Sequence, residues 1–79
     1  CELTDEDFRE GTIDILDILH KSGLAGSRSE ARRNVEQGGV SVDGNAVNDV
    51  KAVFVKESLE GEGVVVKRGK KKFVKVIAK

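Results

Sequence analysis

The sequence predicts an α+β fold in which a helix-turn-helix-like pair of helices packs on a small, mostly antiparallel sheet. Start and stop signals for two helices lie in the first half of the chain. Alternating apolar segments then flank the turn sequence Asp43-Gly44 and, further on, Gly69. With 79 residues, 38% of them hydrophobic, the chain has room for one modest core. We therefore expect a single folded unit.

Residues 1–11 are predicted to be an acidic leader or a cut linker, and residues 12–79 to be the domain. The first ten residues contain five acids and one base, and Leu3 and Phe8 are the large apolar residues among them. This composition favours a solvated, partly disordered tail. An alternative is that the acids cover a basic surface of the domain.

A first helix is predicted over about residues 13–21, with Thr12 as its N-cap and Gly23 as its stop. At 100° per residue, the apolar side chains of this segment form a broad arc, and Asp14 and Asp17 lie opposite. We expect the arc to face the core and the two acids to be solvated.

The second helix is predicted to begin at Arg28 with a capping box. In this motif the Ser27 side chain accepts the N–H of Glu30, and the Glu30 carboxylate reaches back to the N–H of Ser27. Gly38-Gly39 ends the helix. The connection over residues 24–26 is so short that the two helices must be neighbours.

Basic residues are concentrated on one side of this second helix, because Ala31 and Val35 face the core. An arginine fork suits phosphate oxygens, and the free N–H groups and dipole at the start of a helix also favour a phosphate. We interpret four residues as nucleic-acid contacts without a structural role: Arg28, Ser29, Arg32 and Arg33. The alternative is that these arginines are exposed side chains without a binding function.

Two hairpins follow. Residues 40–42 and 45–48 are predicted to pair around the Asp43-Gly44 turn, which suits positive φ angles. Residues 53–55 read as a further strand, and residues 57–63 as an acidic loop.

The closing hairpin is predicted from residues 64–67 and 72–77, with Gly69 at its bend and with Phe54 and Phe73 in the core. Five bases occupy residues 67–72: Lys67, Arg68, Lys70, Lys71 and Lys72. Lysines also protect sheet edges from aggregation, which is the alternative interpretation. We call residues 67–72 the lysine turn and the helix that begins at Arg28 the arginine helix. The presence of both in one small domain favours contact with RNA or DNA, although the net charge of the chain is zero.

Other classes of function lack the residues they need. Cys1 is the single cysteine and His20 the single histidine, so the sequence offers neither a disulfide nor a catalytic pair nor a metal-ligand cluster. We expect no enzymatic activity in this chain, no metal and no cofactor. Its apolar segments are too short to cross a membrane and its first residues are acidic, which favours a cytoplasmic protein.

Folded RNA is the favoured nucleic acid. A DNA-reading helix more often carries side chains placed for base edges and belongs to a dimer. Stacking on single strands needs exposed aromatic rings, and Phe54 and Phe73 are assigned to the core.

The residues of the second helix and the turn after it also resemble a known module. Ser27-Arg28-Ser29-Glu30-Ala31-Arg32-Arg33, Gln37-Gly38-Gly39-Val40 and Val42-Asp43-Gly44 are similar to the signature of the RNA-binding module named after protein S-four of the small ribosomal subunit. The closing hairpin and Leu24-Ala25 before the serine–arginine run resemble the carboxy-terminal domains of bacterial tyrosyl-tRNA synthetases.

This resemblance implies a tRNA-binding accessory domain. Its partner would be tyrosine tRNA, held at the variable arm and anticodon stem, while a separate domain of a homodimeric parent carries out ATP-dependent aminoacylation. The fragment itself would be monomeric. Many relatives in the wider family open the first helix with Arg-Leu-Asp, where this chain has Thr12-Ile13-Asp14, so only Arg28, Ser29, Arg32 and Arg33 are carried over from the motif. Alternatives are a module of a pseudouridine synthase or ribosome-associated factor, or a basic protein-interaction module.

Overall fold

The structure, a computed structural model, describes residues 1–69 and 71–78. Helices and strands follow one another in the order β1 (Glu2–Leu3), β2 (Thr12–Asp14), α1 (Ile15–Lys21), α2 (Arg28–Glu36), β3 (Val40–Val42), β4 (Asn45–Ala46), β5 (Val53–Val55), α3 (Lys56–Leu59), β6 (Val64–Arg68) and β7 (Lys72–Ala78). A short 3₁₀ turn, Asp5–Asp7, follows β1. The predicted α+β class is confirmed.

The strands form two sheets. Five of them lie in the order β1-β7-β6-β3-β4, and β2 pairs antiparallel with β5 in a separate two-stranded sheet. Pairing in the larger sheet is antiparallel except between β1 and β7, which are parallel. The predicted mostly antiparallel sheet is therefore confirmed.

One face of the large sheet is covered and the other is open. Along β6, Val64 and Val66 are buried, whereas Val65 and Lys67 are exposed. The buried side chains join those of α1 and α2 in one hydrophobic core. We call the covered side the inner face and the solvent side the outer face, and β7 alternates in the same way beside β6.

Helix α1 begins two residues later than predicted. Residues Thr12–Asp14 form β2, and Asp14 is the N-cap, accepting the N–H of Asp17 at 2.7 Å. The predicted start near Ile13 with Thr12 as cap is wrong, because Ile13 pairs with Phe54 of β5. A β-branched pair such as Thr-Ile favours an extended backbone once a partner strand is available.

The acidic leader packs on the domain. Leu3 is 1% exposed and Phe8 is buried, and β1 lies beside β7. The expectation of a solvated, partly disordered tail is wrong for these residues, because two large apolar side chains are buried when the segment docks. Its origin as a cut linker, and a domain boundary at residue 12, stay predictions.

Two acids of the leader, Asp5 and Asp7, pair with lysines rather than with the arginines of α2. Asp7 contacts Lys21 at 2.6 Å, and Asp5 pairs with Lys56. Both lysines lie on other elements, α1 and α3. Asp5 and Asp7 therefore do not support the alternative in which the leader acids cover the basic surface of α2.

The segment predicted as an acidic loop contains a buried residue. Lys56–Leu59 is a short helix, and the Leu59 side chain is fully buried. A single leucine among acids has no periodicity to identify it, so the prediction of a continuous loop is wrong here. Gly63 ends the segment with φ +73° against the backbone of Val76.

Both predicted hairpin turns are present. Asp43 and Gly44 have φ angles of +50° and +85°, as a turn with two left-handed residues requires. Gly69 has φ +69° at the end of β6. Phe54 packs against the core, but Phe73 is 67% exposed, so its assignment to the core is wrong: its position on β7 points it to the outer face.

Candidate nucleic-acid interface

Two hydrogen bonds of Glu30 shape the start of α2. Its backbone N–H donates to Ser27 Oγ at 3.1 Å, which confirms the predicted N-cap. Its carboxylate Oε2 accepts from the N–H of Gly26 at 3.1 Å, one residue before the predicted partner Ser27. The reciprocal half of the capping box is therefore displaced, and it orders the connection between the helices.

Arg28 has a structural role that the sequence did not indicate. Its guanidinium donates to Asp14 Oδ2 at 3.1 Å and to a carboxylate oxygen of Asp17. These contacts join the first turn of α2 to the first turn of α1. The interpretation of Arg28 as a residue without a structural task is wrong, as is the expectation that Asp14 and Asp17 are simply solvated.

Arg32 and Arg33 are the more available cations of this helix. The Arg32 side chain is 63% exposed, and its Nε lies 3.6 Å from Glu36 one turn later, a weak pair. Arg33 and Ser29 are exposed, and within residues 1–69 and 71–78 the structure shows no ion pair of Arg33. Both arginines keep donors that can bind a phosphate.

A groove brings together two of these arginines and a lysine from a distant loop. Arg28, Arg32 and Lys51 line a groove of about 410 Å³ beside Val50 and Val53. Asp14 also lines it and reduces its positive charge. Three cations therefore line an open groove, and cations are the side chains that contact a phosphate backbone.

Lys51 was missed by the sequence interpretation. Its backbone N–H donates to Asp49 Oδ1 at 2.9 Å, which holds the loop in an Asx turn before β5. A lone lysine between two strands gives no sign that its loop lies against α2. Only the pairing of β5 with β2, which leads directly into α1, places it there.

The lysine turn is tied to the helices through Arg68. Its Nη1 donates to the carbonyl of Leu24 at 2.8 Å and to Glu30 Oε1 at 3.1 Å. The N–H of Gly69 also donates to the carbonyl of Gly39 at 2.7 Å. The hairpin end therefore lies against both the connection before α2 and the residues after it.

The predicted basic residues of the hairpin do not form one surface. Arg68 and Lys72 are opposite each other on the inner-face side of the hairpin, whereas Lys67 pairs with Phe73 on the outer face. Lys71 is exposed in the turn, and Lys70 lies outside the described residues. The described members of the predicted set therefore lie in three places: on α2, at the inner edge and turn of the hairpin, and on the outer face of the sheet.

Within the two described ranges, no group of three histidine, cysteine or acidic side chains is placed to hold a metal ion. His20 is exposed on α1. No helix in the described part of the chain is long and apolar enough to cross a membrane.

Comparison with known proteins gives one family. Residues 3–76 match the family described as Tyrosine--tRNA ligase SYY-like C-terminal domain. The chain is 39% identical over 66 residues to the tyrosine--tRNA ligase of Treponema denticola, covering 82% of this chain and 16% of that protein. It is 45% identical over 67 residues to the ligase of Lachnoclostridium phytofermentans and 40% over 67 residues to that of Francisella tularensis. These two matches cover 84% and 85% of this chain, respectively, and 16% of each relative.

Proposed function

We propose, on the premise that the chain belongs to the family of Tyrosine--tRNA ligase SYY-like C-terminal domains, that it is a tRNA-binding accessory domain of a cytoplasmic ligase. The resemblance inferred from the residues is confirmed at the level of this family. The chain spans 16% of the length of its relatives. In our proposal aminoacylation therefore belongs to another domain of a homodimeric parent, and this chain binds RNA without catalysis.

The groove beside α2 is the observation that carries the proposal. Arg28, Arg32 and Lys51 present three cations along one concave surface. The start of α2 adds its free N–H groups and the positive end of its dipole at Arg28 and Ser29. A phosphate backbone is the ligand class that matches cations and N–H donors in one place.

Arg33 and the hairpin extend this surface in our proposal. Arg33 is exposed next to Arg32, and Lys71 and Lys72 are exposed at the hairpin end that Arg68 holds near α2. Arg68 uses Nη1 for its two internal bonds, so its other nitrogens remain for an RNA contact. Lys67 and Lys70 complete the proposed set.

Tyrosine tRNA is the proposed partner, with its variable arm and anticodon stem as the bound regions. Double-stranded RNA is recognised mostly through phosphates and 2′-hydroxyls, which suits a surface of arginines and lysines. The family match supports this partner over the RNAs of pseudouridine synthases or ribosome-associated factors.

The test uses the Arg32→Ala/Arg33→Ala double variant in electrophoretic titrations with tyrosine tRNA. Neither side chain holds the fold together, so we expect a folded variant with weaker binding. For the unaltered chain, log K falls with log salt by about 0.7–0.9 for each phosphate contact, and the double variant loses about 1.5 from that slope. Lys56→Gln, which removes a single cation from α3 outside the groove, is the control and should leave the slope nearly unchanged.

A second measurement identifies the RNA. Amide chemical shifts at residues 27–33 and 67–72 should move when tyrosine tRNA is added, and less with a tRNA that has a short variable arm. Equal affinity of the double variant and the unaltered chain would overturn the assignment to α2. Shifts that follow an acidic protein but no tRNA would indicate a protein-interaction module instead.

A further inference from the structure

Phe73 is an exposed aromatic ring in a basic setting on the outer face of the large sheet. Its side chain is 67% exposed, more than the other exposed large apolar residues of the described chain. Burial removes apolar rings from water at a gain of about 2 kcal/mol each, and this ring forgoes that gain on a regular strand. The proposed groove beside α2 does not use this residue.

The strand register places Phe73 in a defined row. Ser41 of β3, Lys67 of β6 and Phe73 of β7 are successive cross-strand partners, and Val65 and Lys75 form the next pair along the sheet. Side chains two residues apart on one strand are separated by about 7 Å, so Lys75 lies close to the ring on one side and Lys67 on the other. The ring therefore has a lysine as its neighbour both across the sheet and along its own strand.

In the described part of the chain, the strand pairing places two acidic residues, Asp43 and Glu2, near the ends of this row. Asp43 lies near Val65, but its Oδ1 accepts the N–H of Val65 at 2.8 Å and so stays at the backbone. Glu2 is opposite Ile77, four residues along β7 from Phe73. The centre of the outer face thus combines an apolar ring with positive charge.

We propose that this face, Phe73 with Lys67 and Lys75, binds an unpaired nucleotide of the RNA, the base stacking on the ring and the adjacent phosphates contacting the lysines. Sheets that present aromatic rings bind single-stranded RNA in this way, and every base has a face that can stack. The inference rests on the proposed function and extends it from phosphate contacts to an exposed base. A protein partner is disfavoured, because lysines are depleted at the cores of protein interfaces.

The test compares Phe73→Ala, Phe73→Leu and Phe73→Trp in the 79-residue chain. The probes are a mixed-sequence single strand of eight nucleotides and a blunt duplex of the same sequence. Stacking on an aromatic side chain is worth about 1–3 kcal/mol per base, so Phe73→Ala should weaken single-strand binding by about fivefold or more. Phe73→Leu should lose a similar amount, since leucine is apolar but has no ring. Binding of the duplex should be unchanged.

Phe73→Trp supplies a direct signal, because the chain contains no tryptophan. Its fluorescence should fall when the single strand binds, whereas that of Val55→Trp, placed at an exposed valine of the small sheet, should not. The variant Lys67→Ala/Lys75→Ala should lower the salt slope by about 1.5. The slope for Phe73→Ala should stay as in the unaltered chain.

Several outcomes would overturn the proposal that Phe73, Lys67 and Lys75 form a stacking platform for a base. Equal single-strand affinity of Phe73→Ala and the unaltered chain excludes stacking, and an equal loss on the duplex assigns the effect to something other than a base. Self-association that Phe73→Ala abolishes would identify a second copy as the occupant. If the platform fails while Arg32→Ala/Arg33→Ala still weakens tRNA binding, the proposed function stands. If Phe73→Ala weakens single-strand binding while Arg32→Ala/Arg33→Ala has no effect on tRNA binding, the arginine surface is rejected and the stacking platform is retained.

Discussion

Arg68 of β6 and Glu30 of α2, 38 residues apart in the chain, are joined by a 3.1 Å contact between Nη1 and Oε1. The other carboxylate oxygen of Glu30 accepts the N–H of Gly26, and Arg68 also donates to the carbonyl of Leu24. One acid therefore links the connection between the helices to the closing hairpin. This places the start of the arginine helix next to the end of the lysine turn.

Removing Arg68 should loosen this junction. Arg68→Ala is expected to lower the free energy of unfolding by about 1–2 kcal/mol, because the Leu24 carbonyl and the Glu30 carboxylate both lose their donor. Urea unfolding followed by circular dichroism measures the change. Lys67→Ala, the neighbouring exposed position on the outer face, should change it by less than about 0.5 kcal/mol. Equal losses in the two variants would contradict this role for Arg68.

Gly61 and Gly63 have the same φ of +73° but different surroundings, so alanine substitutions at the two positions distinguish the cost of backbone strain from that of steric overlap. An added Cβ at Gly61 meets nothing within 4 Å, whereas at Gly63 it overlaps the carbonyl oxygen of Val76 and lies 2.7 Å from Ile77 Cγ1. Gly61→Ala should therefore cost about 1 kcal/mol, the strain of a left-handed residue. Gly63→Ala should cost at least about 2 kcal/mol more. Thermal unfolding of both variants checks this, and similar midpoints would argue against the close approach.

Asp17 should restrain RNA binding through its contact with Arg28. Asp17→Asn removes one of the two negative partners of Arg28 but keeps the N-cap of α1, which uses the backbone N–H of residue 17 and the side chain of Asp14. We expect affinity for tyrosine tRNA to rise by about two- to fivefold at low salt, as for a partly exposed ion pair. The gain should fade as salt screens the groove.

Glu60→Gln is the control for Asp17→Asn, because it removes the same charge beyond the end of α3. It should leave the affinity nearly unchanged. An equal gain from Glu60→Gln would show that the effect comes from net charge and not from Arg28.

Asp7 should make stability depend on pH in the acid range. The hydrogen bond from Lys21, with a second from the N–H of Thr4, holds the pKa of Asp7 below its usual value of 3.8. A carboxyl whose pKa is lowered by folding stabilises the protein above the unfolded value, and this contribution is lost as the pH falls through the folded value. The difference in unfolding free energy between the unaltered chain and Asp7→Asn should be constant near neutral pH and shrink below about pH 4. Lys21→Gln should remove the larger part of this pH-dependent difference and leave the part due to the N–H of Thr4, and a gap that persists at low pH would contradict the assignment.

Local signals predicted much of the fold. Ser27 as N-cap, Gly23 after the first helix and the Asp43-Gly44 turn depend on backbone rules that act over three or four residues. Ala31 and Val35 were placed in the core by spacing alone, and both are fully buried. The errors fall where a distant segment decides: Ile13 is extended because Phe54 pairs with it, and Leu59 is buried although acids surround it in the chain.

The candidate site was predictable in composition but not in arrangement. The sequence by itself determined that arginines lie on the outer side of α2 and lysines at the closing turn, because helix and hairpin geometry follow from nearby residues. The tertiary structure alone decided that Arg28 is shared with Asp14 and Asp17, that Lys51 joins the groove and that Phe73 faces solvent. These relationships are contacts between segments distant in the chain, and local backbone preference carries no information about which face of a strand will be covered.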